Sequence, residues 1–113
     1  MITDMELVKL SAITIWDLEK MMAGKSIHQA MCARKQIQMA LASYARRHKY
    51  DKVQGNILGI ESKIYKWCRQ RFVAENMPRL MMSDPATIRN QKAVKKELNS
   101  RWESLCRTRD WRY

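Results

Sequence analysis

Three glycines and two prolines are all that punctuate this chain of 113 residues, and its long segments repeat apolar side chains at intervals of three and four rather than two. An α-helix turns once every 3.6 residues, so that spacing lines the apolar groups along one face, whereas a strand needs strict alternation. The pattern predicts an all-α protein: a compact bundle of about four helices forming a single domain over residues 1–113. A chain of this length buries roughly two-thirds of its unfolded surface, which leaves no room for a large multidomain enzyme.

Thr3 followed by Glu6 fits a capping box, in which each side chain satisfies a free amide at a helix start. A first helix is predicted from Asp4 to Met22, its apolar positions Met5, Val8, Ala12, Ile15, Leu18 and Met22 widened by Leu7, Ile13 and Trp16. That breadth predicts the most buried helix, with Gly24 as a left-handed stop. Ser26 and Gln29 repeat the capping pattern before a second helix, Ile27 to Lys49. Its inner stripe is Ile27, Ala30, Ile37, Leu41, Tyr44 and His48, and Lys35, Gln38, Arg46 and Lys49 fall outward.

Asp51 caps a third helix in this reading. Gly55 and Gly59 weaken its first turns by about 1 kcal/mol each relative to alanine, which predicts a bend or a late start. From Ile57 the stripe continues through Ile60, Ile64, Cys68 and Phe72, flanked by Trp67. Asn76-Met77-Pro78 predicts the end of that helix, because proline disfavours helical geometry in the residue before it. An apolar connector, Met77 to Asp84, follows. Ser83 or Asp84 then caps a fourth helix with Pro85 in its first turn, where no amide donor is needed. It runs to Arg107, with Ile88, Val94, Leu98, Trp102 and Leu105 inward, ahead of a short basic and aromatic tail, 108–113.

Charge narrows the class of partner. Twenty-two Lys and Arg face 11 Asp and Glu, a formal charge of +11, while 46% hydrophobic residues suffice for an ordered core. The excess is uneven: residues 1–24 hold two basic and four acidic side chains, and the remaining chain holds 20 basic and 7 acidic, a net of +13. A basic surface on the later helices attracts nucleic acid or an acidic protein surface.

Basic stripes interleaved with aromatics carry the main functional signal. Lys and Arg neutralise phosphates and release counterions, and aromatic planes stack on exposed bases. Arg101, Trp102, Arg107, Arg109, Trp111, Arg112 and Tyr113 form one such cluster; Tyr65, Lys66, Trp67, Arg69 and Arg71 form another. The expectation is a non-catalytic nucleic-acid-binding protein without sequence-specific readout, using Lys63, Lys66, Arg69, Arg89, Lys92, Lys96, Arg107 and Arg109 for phosphate contact. Set against it is the plainer reading that the basic runs are solvated faces and that Trp67 and Trp102 belong to the core.

The alternative is an adaptor or inhibitor that docks on a larger nucleic-acid-processing enzyme or complex. Leu80, Met81 and Met82 of the connector, with Trp111 and Tyr113, are its expected protein contacts, since Met adapts to irregular surfaces and Trp anchors interfaces. Small size, strong basicity and the lack of catalytic motifs resemble the accessory proteins of phages and mobile elements, a likeness of type that assigns no residue roles.

Other chemistries draw less support. His28 and Cys32 are four apart on one helical face and offer two zinc ligands, with Cys68 and Cys106 available from other helices. Nothing in that spacing demands a metal, and isolated cysteines commonly serve as small buried hydrophobes. His48 lies near Tyr50 and Asp51, with Glu61 and Glu75 elsewhere, but no nucleophile and base pair or phosphate loop accompanies them. Neither enzymatic activity nor a cofactor is expected. The first residues do not read as a secretory signal, no apolar run approaches the roughly 20 residues that span a bilayer, and three widely spaced cysteines suggest reduced thiols in the cytoplasm.

Overall fold

A computed structural model describes residues 2–83, 91–109 and 111, with side chains described for 2–78, 92–109 and 111. Five helices and no strand occur among the described residues: α1 (Asp4–Ser11), α2 (Ile15–Ala23), α3 (Ile27–Arg47), α4 (Lys52–Ser83) and α5 (Gln91–Thr108). The all-α class follows directly from the three-and-four spacing. The chain divides into two compact units, Met1–Lys66 with Trp111–Tyr113, and Trp67–Asp110.

The predicted first helix is two helices. Thr14 takes an extended conformation (φ −77°, ψ 163°), and its hydroxyl accepts the Asp17 amide at 3.2 Å and donates to Asp17 Oδ2 at 3.0 Å. Thr3 does the same with Glu6, so the Glu6 carboxylate meets the Thr3 hydroxyl at 3.0 Å. A β-branched residue that gains two capping bonds outside the helix ends α1 at little cost, since it has only modest helix propensity inside it. Ala12 and Ile13 close the end with bonds to the carbonyls of Lys9 and Leu10.

The expectation that this segment is the most buried is also corrected. Leu7, Leu18 and Met22 enter the core, but Met5 (74% exposed), Trp16 (74%), Ile15 (56%), Met21 (48%) and Val8 (45%) face outward. The extended Thr14 breaks the helical register, so the two short helices do not continue one apolar stripe. Gly24 ends α2 with a negative φ (φ −86°, ψ 2°), not in the left-handed conformation, and the Lys25 amide bonds to the Met22 carbonyl as the chain passes into the next cap.

Ser26 and Gln29 form the expected capping box, with both reciprocal bonds made. α3 buries Ala30, Ile37, Leu41 and Tyr44 as predicted, and Met31, Cys32 and Ala40 besides. It stops at Arg47, so His48 leaves the inner stripe: exposed and extended, it stacks its ring on Tyr44 at 4.1 Å. α1 packs on α3, and Arg47 Nη2 reaches Asp4 Oδ1 at 2.7 Å. That pair puts an anion at the start of one helix and a cation at the end of the other, where each offsets a helix dipole.

Asp51 begins α4 as expected. Its Oδ1 accepts the Gln54 amide at 3.0 Å and its Oδ2 accepts the Tyr44 hydroxyl at 2.7 Å. The helix starts at Lys52 and stays helical through Gly55 and Gly59, so the late start is not seen. Ile57, Ile60 and Ile64 are buried, and Glu61 joins the side to α3, taking Arg34 Nη2 at 3.1 Å and a short bond from Gln38 Nε2.

The predicted break at Asn76-Met77-Pro78 is corrected, and most of the connector with it: α4 runs through Pro78 to Ser83. Pro78 and Ala74 are exposed, so water can take the carbonyl bond that proline cannot donate, and Asn76 Nδ2 adds a bond to the Phe72 carbonyl at 2.8 Å. In the second unit, α5 buries Val94, Leu98 and Trp102 as predicted, and Phe72 tilts against Trp102 at 5.4 Å. The expected cap at Asp84, Pro85, and Ile88 and Arg89 lie outside the described residues.

The Tyr44 and Asp51 pair makes a pH prediction. The Gln54 amide first, and then the Tyr44 hydroxyl, hold the Asp51 carboxyl below its ordinary range; the bond to Asp51 raises Tyr44 above its own. A depressed carboxyl contributes stability above its ordinary pKa of about 4 and loses it as pH falls through the lower folded value. A raised phenol contributes below about 10 and loses it as pH climbs through the higher folded value. Asp51→Asn keeps a capping oxygen but not the charge, so it should flatten the acid limb of a stability-versus-pH curve followed by circular dichroism. Tyr44→Phe should flatten the alkaline limb. An Asp51→Asn curve as steep as the wild type below pH 4 would show that the carboxylate is not the group responsible.

Candidate nucleic-acid interface

Helical periodicity sets the geometry of the basic surface. With Val94, Leu98 and Trp102 four residues apart and buried on α5, the opposite stripe collects Lys92, Lys96, Glu103 and Arg107, all exposed. On α4 the buried Ile57, Ile60 and Ile64 leave Lys63 and Lys66 on the outward side, three residues apart and exposed. The structure thus brings together Lys92, Lys96 and Arg107 on one helix, and Lys63 with Lys66 on another.

Arginines and lysines differ here. Arg69 Nε donates to Asn99 Oδ1 at 3.1 Å, joining α4 to α5 within the second unit. Arg107 stands 4.0 Å from Glu103, Arg101 3.2 Å from Glu97 and Arg71 3.0 Å from Glu75. These are exposed pairs one helical turn apart, each worth only about 0.3–0.5 kcal/mol, and an incoming phosphate can exchange with them. Lys63, Lys66, Lys92 and Lys96 have no carboxylate within ion-pair distance among the described residues. Arg109 is exposed just beyond α5, and Arg89 falls outside the described residues.

The aromatic half of the expected surface is largely spent elsewhere. Trp102 is wholly buried and Trp111 is 9% exposed, tilted against His28 at 5.6 Å. Trp102 is therefore core, as the plainer reading had it, and Trp111 sits inside the fold rather than on its surface. Trp67 carries the Arg71 guanidinium over its face at 4.9 Å, and Tyr65 carries that of Arg34 at 4.9 Å. Leu80, Met81 and Met82 belong to α4, but their side chains, with Arg112 and Tyr113, lie outside what is described.

Exposed aromatic rings occur outside the two predicted clusters of basic and aromatic residues. Trp16 is 74% exposed among Asp17 and Glu19, and Tyr50 is 73% exposed among Arg46, Arg47, Lys49 and Lys52. A tryptophan in a helical segment of apolar spacing reads the same whether it points in or out, and burial separates Trp102 from Trp16.

His28 Nε2 stands 3.5 Å from Cys32 Sγ, and no group of three or more metal-binding side chains occurs among the described residues. No helix among them is long and apolar enough to cross a membrane. No family model, curated protein or solved structure matches the chain.

Proposed function

We propose that this protein is a non-catalytic nucleic-acid-binding protein that holds phosphates on its basic helical faces without reading sequence. The observation that supports the reading is the set of exposed lysines, Lys63 and Lys66 on α4 and Lys92 and Lys96 on α5, that have no carboxylate partner among the described residues. A lysine already paired gives up one partner for another; an unpaired one adds phosphate attraction and counterion release outright. The test is fluorescence anisotropy with a labelled mixed-sequence duplex over a range of salt. Affinity that falls steeply and linearly in log–log form is expected, and a flat response refutes the proposal.

A second reading, an adaptor for a protein partner, is favoured by the apolar side chains exposed on α1 and α2: Met5, Val8, Ile15, Trp16 and Met21. Asp4, Glu6, Asp17 and Glu19 flank them against Lys9 and Lys20, so the matching partner offers an apolar groove rimmed by basic charge. Trp16→Ser should then abolish recovery of that partner in a pull-down and leave duplex binding unchanged. Full recovery by the folded variant removes this reading.

A further inference from the structure

We propose that the corner between α3 and α4 is a second nucleic-acid contact, one that takes an unpaired base of a single strand on Tyr50 and its flanking phosphates on Arg46, Lys49 and Lys52. The proposal rests on the nucleic-acid reading and adds to it a preference for single strands at a place distinct from the α5 stripe.

Three observations converge. The first is exposure: Tyr50 leaves 73% of its surface open, and among the described residues it is the exposed aromatic ring whose neighbours along the chain are mainly cations. Trp16 has acidic neighbours, Tyr65 and Trp67 already hold guanidinium groups, and Trp102 and Trp111 are buried.

The second is charge. Arg46, Lys49 and Lys52 are all exposed and have no carboxylate within ion-pair distance among the described residues. The acid in their midst, Asp51, is committed to the Gln54 amide and the Tyr44 hydroxyl, while Arg47 and His48 turn toward Asp4 at 2.7 and 3.7 Å. From Arg46 to Lys52 the chain takes six steps, at most about 20 Å end to end, so the cations act on one short stretch of backbone phosphates.

The third is rigidity. Gln54 Nε2 donates to the Lys49 carbonyl at 3.0 Å and the Gly55 amide to the Asp51 carbonyl at 3.2 Å, which pins both sides of Tyr50. Gly55 leaves room for the ring: a β-carbon there would stand 3.1 Å from the Tyr50 hydroxyl oxygen. A backbone fixed on both sides of the ring loses little freedom on binding, and the bases of a duplex, already stacked on one another, are closed to the ring. Poly-glutamate would satisfy the cations but has no aromatic face to place on the ring.

The experiment uses the full chain with fluorescein-labelled oligothymidylate of about 20 nucleotides, a duplex of equal length, and poly-glutamate as competitor. Tyr50→Ala should weaken oligothymidylate binding about tenfold at fixed salt, leave the salt slope unchanged and alter duplex affinity less than twofold. Tyr50→Phe, which keeps the ring, should match the wild type, and wild-type circular dichroism confirms that both variants fold. Unchanged oligothymidylate binding by Tyr50→Ala overturns the proposal, as does an equal loss for duplex and single strand. So does poly-glutamate binding as tight as that of the oligonucleotide. In each of these cases steep, salt-dependent duplex binding by the wild type leaves the broader function standing; a wild type that binds neither nucleic acid removes both.

Discussion

Replacing Lys92 and Lys96 together by glutamate should lower duplex affinity about 100-fold near 0.1 M salt and reduce the slope of log affinity against log salt by about two. Each lysine that meets a phosphate releases close to one counterion, so its loss removes roughly a factor of ten at that salt concentration, and the introduced carboxylates add repulsion. Both side chains are exposed on α5 opposite Val94 and Leu98, so the helix and its core should survive, which circular dichroism checks. Glu103 lies on the same stripe, beside Arg107, and Glu103→Gln should act in the opposite direction, strengthening binding severalfold. If the double charge reversal left affinity and slope unchanged, α5 would not face the phosphates.

Trp102→Ala should cost about 3–5 kcal/mol, the usual range for emptying a large aromatic site. Trp102 has no exposed surface, and it packs with Phe72 within the unit formed by α5 and the second half of α4. A loss of that size is a large part of the total stability of a small protein, about 5–15 kcal/mol. Urea denaturation followed by circular dichroism measures it. Trp102→Phe retains a ring for Phe72 and should lose less than the alanine variant. Were Trp102→Ala within 1 kcal/mol of the wild type, the tryptophan would not be a keystone of that unit.

These two substitutions sit on positions the sequence already marked, and for the same reason: periodicity. Val94, Leu98 and Trp102 repeat every four residues, which places Lys92, Lys96 and Arg107 opposite them before any contact is known. Caps were legible too, since the short side chains of Ser26 and Asp51 each accept the amide three residues on in the helix they begin. Thr14 carried the same kind of signal with Asp17, but the apolar spacing continues across it from Ala12 to Ile15, and a cap and a stripe then make opposite claims. At Pro78 the local rule pointed to a stop, and the helix continues because one missing amide bond on an exposed turn is a limited cost.

The sequence by itself determined that the chain is helical, where most helices begin, and that positive charge lies beyond residue 24. These are consequences of spacing and of groups that act within one turn. Tertiary structure decided which apolar and aromatic side chains are covered: Trp102 and Trp111 inside, Trp16 and Tyr50 outside, Tyr65 and Trp67 beneath guanidinium groups. Coverage depends on residues distant in the chain, such as Trp111 meeting His28, and no local pattern encodes which distant partner arrives. For that reason the cationic stripes could be read in advance, while the exposed ring at Tyr50 emerged only when the chain was folded.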